Sequence, residues 1–110
     1  MNMPRRTATS QPVLKMDAEA MRSHATDAAQ LLRALANDKR LMLLCLLVEG
    51  EHSVSELNAK VELSQSALSQ HLAVLRADGL VCTRREAQTI YYTLAEGPAQ
   101  RIIEPLHGIY

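Results

Sequence analysis

Apolar positions recur at helical spacing over the first half of this chain, then change to an alternating rhythm near residue 80. Residues 17–36 predict a long helix whose Ala25, Ala28, Ala29, Leu32, Leu35 and Ala36 make a small-residue face suited to close helix–helix contact. Asn37 or Asp38 restarts the chain as a second helix to about Glu49, apolar on nearly every side and therefore central. Gly50, Glu51 and His52 read as a turn. Ser53 followed by Glu56 matches a capping box, opening a short helix with Val54, Leu57 and Val61 inward. Glu62 and Leu63 connect it tightly to a helix over 64–76, where Leu68, Leu72 and Leu75 form one narrow stripe. Ser64 can cap its start and Gly79 can supply a left-handed stop. Residues 80–85 and 89–94 then read as strands around a tip at Glu86, Ala87 and Gln88. Gly97 and Pro98 open a last helix bearing Ile102, Ile103, Leu106 and Ile109, with Pro105 expected to bend it.

The fold class is therefore mainly α with a small β-hairpin, in the order α-α-α-α-β-β-α. Two short helices in tight succession form a helix-turn-helix, and the hairpin after them is a wing. The first and last helices find no obvious cover within one copy. A homodimer joined through them is expected, so that a charge at Ala28 or Ile103 would separate the copies. Such a dimer sets two recognition helices about 34 Å apart and calls for a near-palindromic double-stranded DNA site.

The 64–76 helix carries the chemistry. Its outward face shows Gln65, Ser66, Ser69, Gln70 and Ala73, short and uncharged, where an ordinary solvated face carries Lys and Glu. Amides and hydroxyls are the groups that read base edges in a groove. Ser64 and His71 belong to the same surface, His71 as a packing or backbone-contacting residue. Lys39 and Arg40 stand in the first turn of the second helix, where a cation opposes the helix dipole and gains nothing structurally. A phosphate is the expected partner there. Arg84 and Arg85 flank the hairpin tip, suited to a phosphate or the minor groove; the plain alternative is solvation.

Composition narrows this picture. A chain of 110 residues makes one domain, and the lack of Trp and Phe favours packed helices over a sandwich. Twelve basic and twelve acidic side chains cancel, which counts against DNA binding unless the charge is locally arranged. Residues 1–15 hold Arg5, Arg6 and Lys15 with no acid and read as a flexible basic tail, the domain proper being 16–110. The apolar run 41–48 is too short for a bilayer, and Arg5 and Arg6 lack a following hydrophobic stretch. A cytoplasmic protein is expected, its two cysteines thiols rather than a structural disulfide. No glycine-rich phosphate loop, nucleophile elbow or convergent carboxylate set is present, so neither an enzyme nor a cofactor is expected. His24 with Asp27, and Glu104 with His107, stand at i, i+3 and could hold a metal between subunits, though a solvated rim explains them more simply.

The segments Leu35 to Leu41, Ser64 to Leu72, Leu75 to Val81 and Thr89 to Tyr92 together resemble the ArsR/SmtB winged-helix repressors over residues 20–110. Residues 41–47 and 84–89 are most similar to the thiol-sensing branch, the HlyU, BigR and SqrR type. The resemblance implies a dimeric repressor, or an antagonist of silencing, that responds to oxidants or reactive sulfur. The Cys-x-Cys of metal-sensing members is replaced by Ser53, Val54 and Ser55, and the last helix offers only Glu104 and His107, so no metal site of the usual kind is expected. Cys45 matches the first cysteine of the thiol branch. The partner in those relatives follows an Ile-Tyr or Leu-Tyr pair like Ile109 and Tyr110, where this sequence stops; Cys45 is therefore expected not to form that disulfide, Cys82 being a less supported alternative. Burial among apolar neighbours is the competing account of Cys45. Two rival functions are a metal-responsive repressor with a non-standard interface site and a dimerisation module that does not bind DNA.

Overall fold

The structure, a computed structural model, describes residues 17–110. The expected basic tail at 1–15 lies outside the described residues. Five helices and three strands follow in order: α1 (Ala18–Leu35), α2 (Asp38–Val48), β1 (His52–Ser53), α3 (Val54–Lys60), α4 (Gln65–Ala77), β2 (Val81–Glu86), β3 (Thr89–Leu94) and α5 (Pro98–Ile109). The chain divides into two compact units, Met1–Gln30 and Leu31–Tyr110.

In the first unit the Asp17 carboxylate accepts from the Ala20 amide at 2.7 Å, giving α1 its N-terminal cap. Thr26 turns its hydroxyl back on the Arg22 carbonyl at 2.9 Å.

The second unit carries the core. Leu43, Leu44 and Leu47 of α2 are buried, as are Leu57, Leu68, Leu72 and Leu75 of the helix-turn-helix, Val81 and Tyr92 of the hairpin, and Ala99 and Ile103 of α5. Helix α2 is central, as its composition demands, but not sealed on every side, since Met42 is exposed and Cys45 half-buried. The α5 expectation needs correcting. Ile103 has no exposed surface and Ala99 almost none, so the inner stripe of α5 is already covered within one copy. Ile109 remains exposed, and Leu32 of α1 likewise. Pro105 sits inside α5, where it cannot donate to the preceding turn, and the helix continues through it.

Local chemistry explains the element ends. Asn37 caps α2 by accepting from the Arg40 amide. At α3 the Ser53 hydroxyl accepts from the Glu56 amide at 3.1 Å, while Glu56 accepts from the Ser53 amide at 2.7 Å, a complete capping box. Helix α4 ends in a Schellman motif: Gly79, at φ 72°, donates to the Arg76 carbonyl and Leu80 to the Leu75 carbonyl.

One strand was not anticipated. The expected turn at 50–52 ends in β1, which pairs antiparallel with β3 through His52 opposite Tyr92 and Ser53 opposite Tyr91. The sheet order is β1-β3-β2, so the wing is an extension of a three-stranded sheet and not a free hairpin. His52 is buried there, its Nδ1 on the Gly50 carbonyl at 2.8 Å and its Nε2 3.0 Å from Lys60 Nζ.

Candidate nucleic-acid interface

Helix α4 buries Leu68, Leu72 and Leu75 and leaves Gln65, Ser66, Ser69, Gln70 and Ala73 exposed. Ser64 is its N-cap, accepting from the Ala67 amide at 3.1 Å, so its hydroxyl oxygen is committed to the helix start. The first turn contains no acid. The positive end of the helix dipole and a row of amides and hydroxyls therefore share one exposed face. That is a surface able to donate and accept hydrogen bonds without repelling a polyanion.

The wing frames one side of it. Val54, Ser69, Ala73, Arg76, Ile90 and Tyr92 line a cleft of about 540 Å³ between α4 and β3. In antiparallel strands directly opposed residues share a face. Arg85 opposes Ile90, which places Arg85 on the cleft side of the sheet. Arg84 opposes Tyr91 on the other face. The two wing arginines, adjacent in sequence, are thus not equivalent.

Arg84 is engaged. Its Nε and Nη2 donate to the two carboxylate oxygens of Glu51 at 2.7 and 2.8 Å, and Nη1 donates to Glu86 at 2.9 Å. Its guanidinium carbon lies 4.3 Å from the centre of the Tyr91 ring. The carboxylates hold the guanidinium firmly protonated, and Glu51 is in turn held below the usual carboxylate range by that hydrogen bond.

Arg40 corrects the view that a cation at the start of α2 gains nothing structurally. Its Nε donates to the Ala34 carbonyl at 2.7 Å and its Nη2 to the Arg33 carbonyl at 3.2 Å, satisfying acceptors at the end of α1. Its Nη1 stands 3.4 Å from Nδ1 of His71, which is half-buried on α4. Lys39, also half-buried, is not drawn into this cluster. Arg76 joins this surface through a signal present in the sequence, since Ser69, Ala73 and Arg76 stand at i, i+4 and i+7 on one exposed side. Nothing in the sequence could mark Glu51 as the partner of a residue 33 positions away.

Cys45 and Cys82 are both free thiols. Cys45 faces a cavity of about 570 Å³ between α2 and α5, lined also by Leu41, Met42, Leu106, His107 and Tyr110. Burial, and then the charge of Glu49, push its thiol pKa up. His107 Nε2 donates to Glu49 at 3.0 Å, and Glu104 accepts from Gln100 at 3.2 Å. Cys82 is exposed and opposes Thr93 on the sheet face shared by Arg84. Among the described residues no three metal-ligating side chains converge, and no helix is long and apolar enough to cross a membrane.

Comparison with known proteins agrees with this architecture. Residues 37–83 match the bacterial regulatory protein, arsR family. The transcriptional activator HlyU of Vibrio cholerae is 52% identical over 102 residues, spanning 90% of this chain and 94% of HlyU. A biofilm growth-associated repressor of Agrobacterium fabrum is 54% identical over 91 residues, 83% of this chain and 78% of the repressor. The structure of reduced Vibrio cholerae HlyU superimposes with a TM-score of 0.79 at 53% identity, over 84% of this chain and 97% of that one. A homodimeric winged helix-turn-helix DNA-binding domain from Mycobacterium bovis aligns with a TM-score of 0.73 at 27% identity, covering 86% of this chain and 88% of its own. With a helix-turn-helix, a wing and these relatives over most of its length, the chain belongs to the arsR family of bacterial regulatory proteins, which are transcriptional regulators and not enzymes.

Proposed function

We propose that this chain is a homodimeric, sequence-specific DNA-binding regulator whose affinity for its operator depends on the state of the Cys45 thiol. The carrying observation is the exposed α4 face: Gln65, Ser66, Ser69 and Gln70, with no carboxylate among them and the helix N-terminus at one end. α4 enters the major groove, Gln65 and Gln70 read base edges bidentately, and Ser66 and Ser69 supplement them. Arg76 and Arg85, with Lys39 at the rim, meet the flanking phosphates. The named homodimeric DNA-binding neighbour supports a two-fold arrangement and hence a near-palindromic site. Relatives carry the names of an activator and of a repressor.

The thiol half of the proposal rests on position. Cys45 is on the central helix, beside a cavity that leaves room for an attached group and is walled on its far side by α5. A modified Cys45 pushes α2 and α5 apart and biases which separation of recognition helices the dimer adopts. Burial and Glu49 keep the free thiol protonated, which slows its attack on any oxidant or sulfur donor, so reaction depends on a reagent reaching it through the cavity.

A DNA shift assay tests both halves, using a duplex that the wild-type chain enriches from a random-sequence pool. Gln70→Ala is expected to cost about 1–3 kcal/mol on that duplex and little on an unrelated one; equal losses on both remove the base-reading role. Organic polysulfide is expected to release wild-type protein from DNA and to leave Cys45→Ser bound. Release of Cys45→Ser as well sinks the thiol half and leaves the DNA half standing.

A further inference from the structure

We propose that Arg84 is a positioning residue for DNA binding: with Glu51, Glu86 and Tyr91 it forms a strut that locks the wing to the helix-turn-helix and does not itself contact DNA. The inference deepens the DNA-binding reading above and rests on it. Arg84 stands on β2, Tyr91 opposite it on β3, and Glu51 immediately before β1, so the side chain spans all three strands. Its fork is matched to both oxygens of one carboxylate at 2.7 and 2.8 Å, its remaining arm reaches a second carboxylate at 2.9 Å, and its flat face covers the Tyr91 ring. An isolated surface ion pair contributes little, but a bidentate guanidinium in a network with an aromatic beneath it is the geometry that does contribute.

Two features set this group apart from a phosphate seat. One guanidinium faces two carboxylates, so the cluster carries a net negative charge and repels a phosphate. It also lies on the sheet face turned away from the α4 cleft, the face that Arg85 does not share. What the strut does is mechanical. Glu51 leads directly into the two residues of β1, the second of which, Ser53, is the N-cap of α3, and α3 leads into α4. Tying Glu51 to the wing therefore holds the hairpin at one pitch relative to the recognition helix, and the ordering cost is met before DNA arrives.

The test uses the full chain, the enriched duplex and an unrelated duplex, with affinities measured at several salt concentrations. Arg84→Ala, Arg84→Lys and Glu51→Gln are each expected to weaken binding to the enriched duplex by about two- to fivefold, with the salt dependence unchanged. The double variant Arg84→Ala with Glu51→Gln is expected to lose no more than either alone. Arg85→Ala instead lowers the salt slope by about one unit. Amide exchange without DNA is expected to quicken across β1 and β3 in Arg84→Ala. A salt slope lowered by Arg84→Ala shows a phosphate contact and overturns the strut. Tighter binding by Glu51→Gln shows that the carboxylates withhold Arg84 from DNA and overturns it equally. If the wild-type chain enriches no duplex, the DNA reading itself fails; the tie is then judged by exchange alone, and unchanged exchange in Arg84→Ala rejects it.

Discussion

Arg40 shows how a side chain's work is decided by the acceptors around it more than by its place on a helix. The last carbonyls of α1 have no partner within their own helix, and Arg40, five residues past Leu35, returns to Ala34 and Arg33 to fill that need. Guanidinium suits the task because one rigid fork addresses two carbonyls and still reaches His71. Arg40→Ala is accordingly expected to lower the unfolding free energy by about 1–3 kcal/mol, since it leaves a partly buried carbonyl unpaired. Urea denaturation measures this directly, and Arg40→Lys is expected to recover only part of it. Unaltered stability in Arg40→Ala, with a lowered salt slope for DNA, would return Arg40 to the role of a phosphate contact. The same contrast separates Arg84 from Arg85, whose neighbouring positions on a strand send them to opposite faces.

The elements were legible wherever local chemistry decides them. The Ser53–Glu56 box, the Ser64 cap and the Gly79 stop need only residues within a turn of one another, and each forms where its residue types stand. β1 was not legible, because two residues carry no period and their pairing is set by Tyr91 and Tyr92 nearly forty positions on. The junction around β1 also collects carboxylates, and these give it a pH response. Glu49 is held below the ordinary carboxylate value of 4.5 chiefly by the His107 hydrogen bond, and Glu56 chiefly by the Ser53 amide. Glu51 is lowered by Arg84. A carboxylate whose pKa is depressed on folding contributes stability that is fully present above its unfolded value and is lost as the pH falls through the folded value. Stability is therefore expected to be level above about pH 5 and to decline as acid is added below it. Glu56→Gln keeps an oxygen for the Ser53 amide but no charge, so its acid decline is expected to be shallower than that of the wild type. Thermal melts at about pH 3, 4 and 7 compare the two, and identical acid profiles would take Glu56 out of the response.

At the scale of the whole molecule, periodicity identified α5 as amphipathic but could not say which of its apolar residues the same copy covers. Ile102, Ile103, Leu106 and Ile109 look alike in sequence, yet Ile103 is fully enclosed while Ile109 is two-thirds exposed, because only the inner stripe meets α2. That distinction matters for any test of dimerisation. A charge at Ile103 enters a closed core with nothing to pair it and is expected to cost more than about 4 kcal/mol, enough to unfold a small domain. Loss of DNA binding in Ile103→Glu would then report on folding and not on association. Leu32, 56% exposed in one copy, is the informative position. If α1 and α5 form the two-fold interface, Leu32→Glu places like charges near the axis of a chain that still folds. It is expected to sediment as a monomer with an unchanged helical signal, and to bind a two-half-site operator about a hundredfold more weakly, since the second half-site no longer comes with the first. Its affinity for a single half-site is expected to stay that of the wild type, because α4 and the wing belong to one copy. A folded Leu32→Glu that sediments as a dimer would move the interface away from this part of α1, whereas a monomer that keeps full operator affinity would show that one helix-turn-helix suffices.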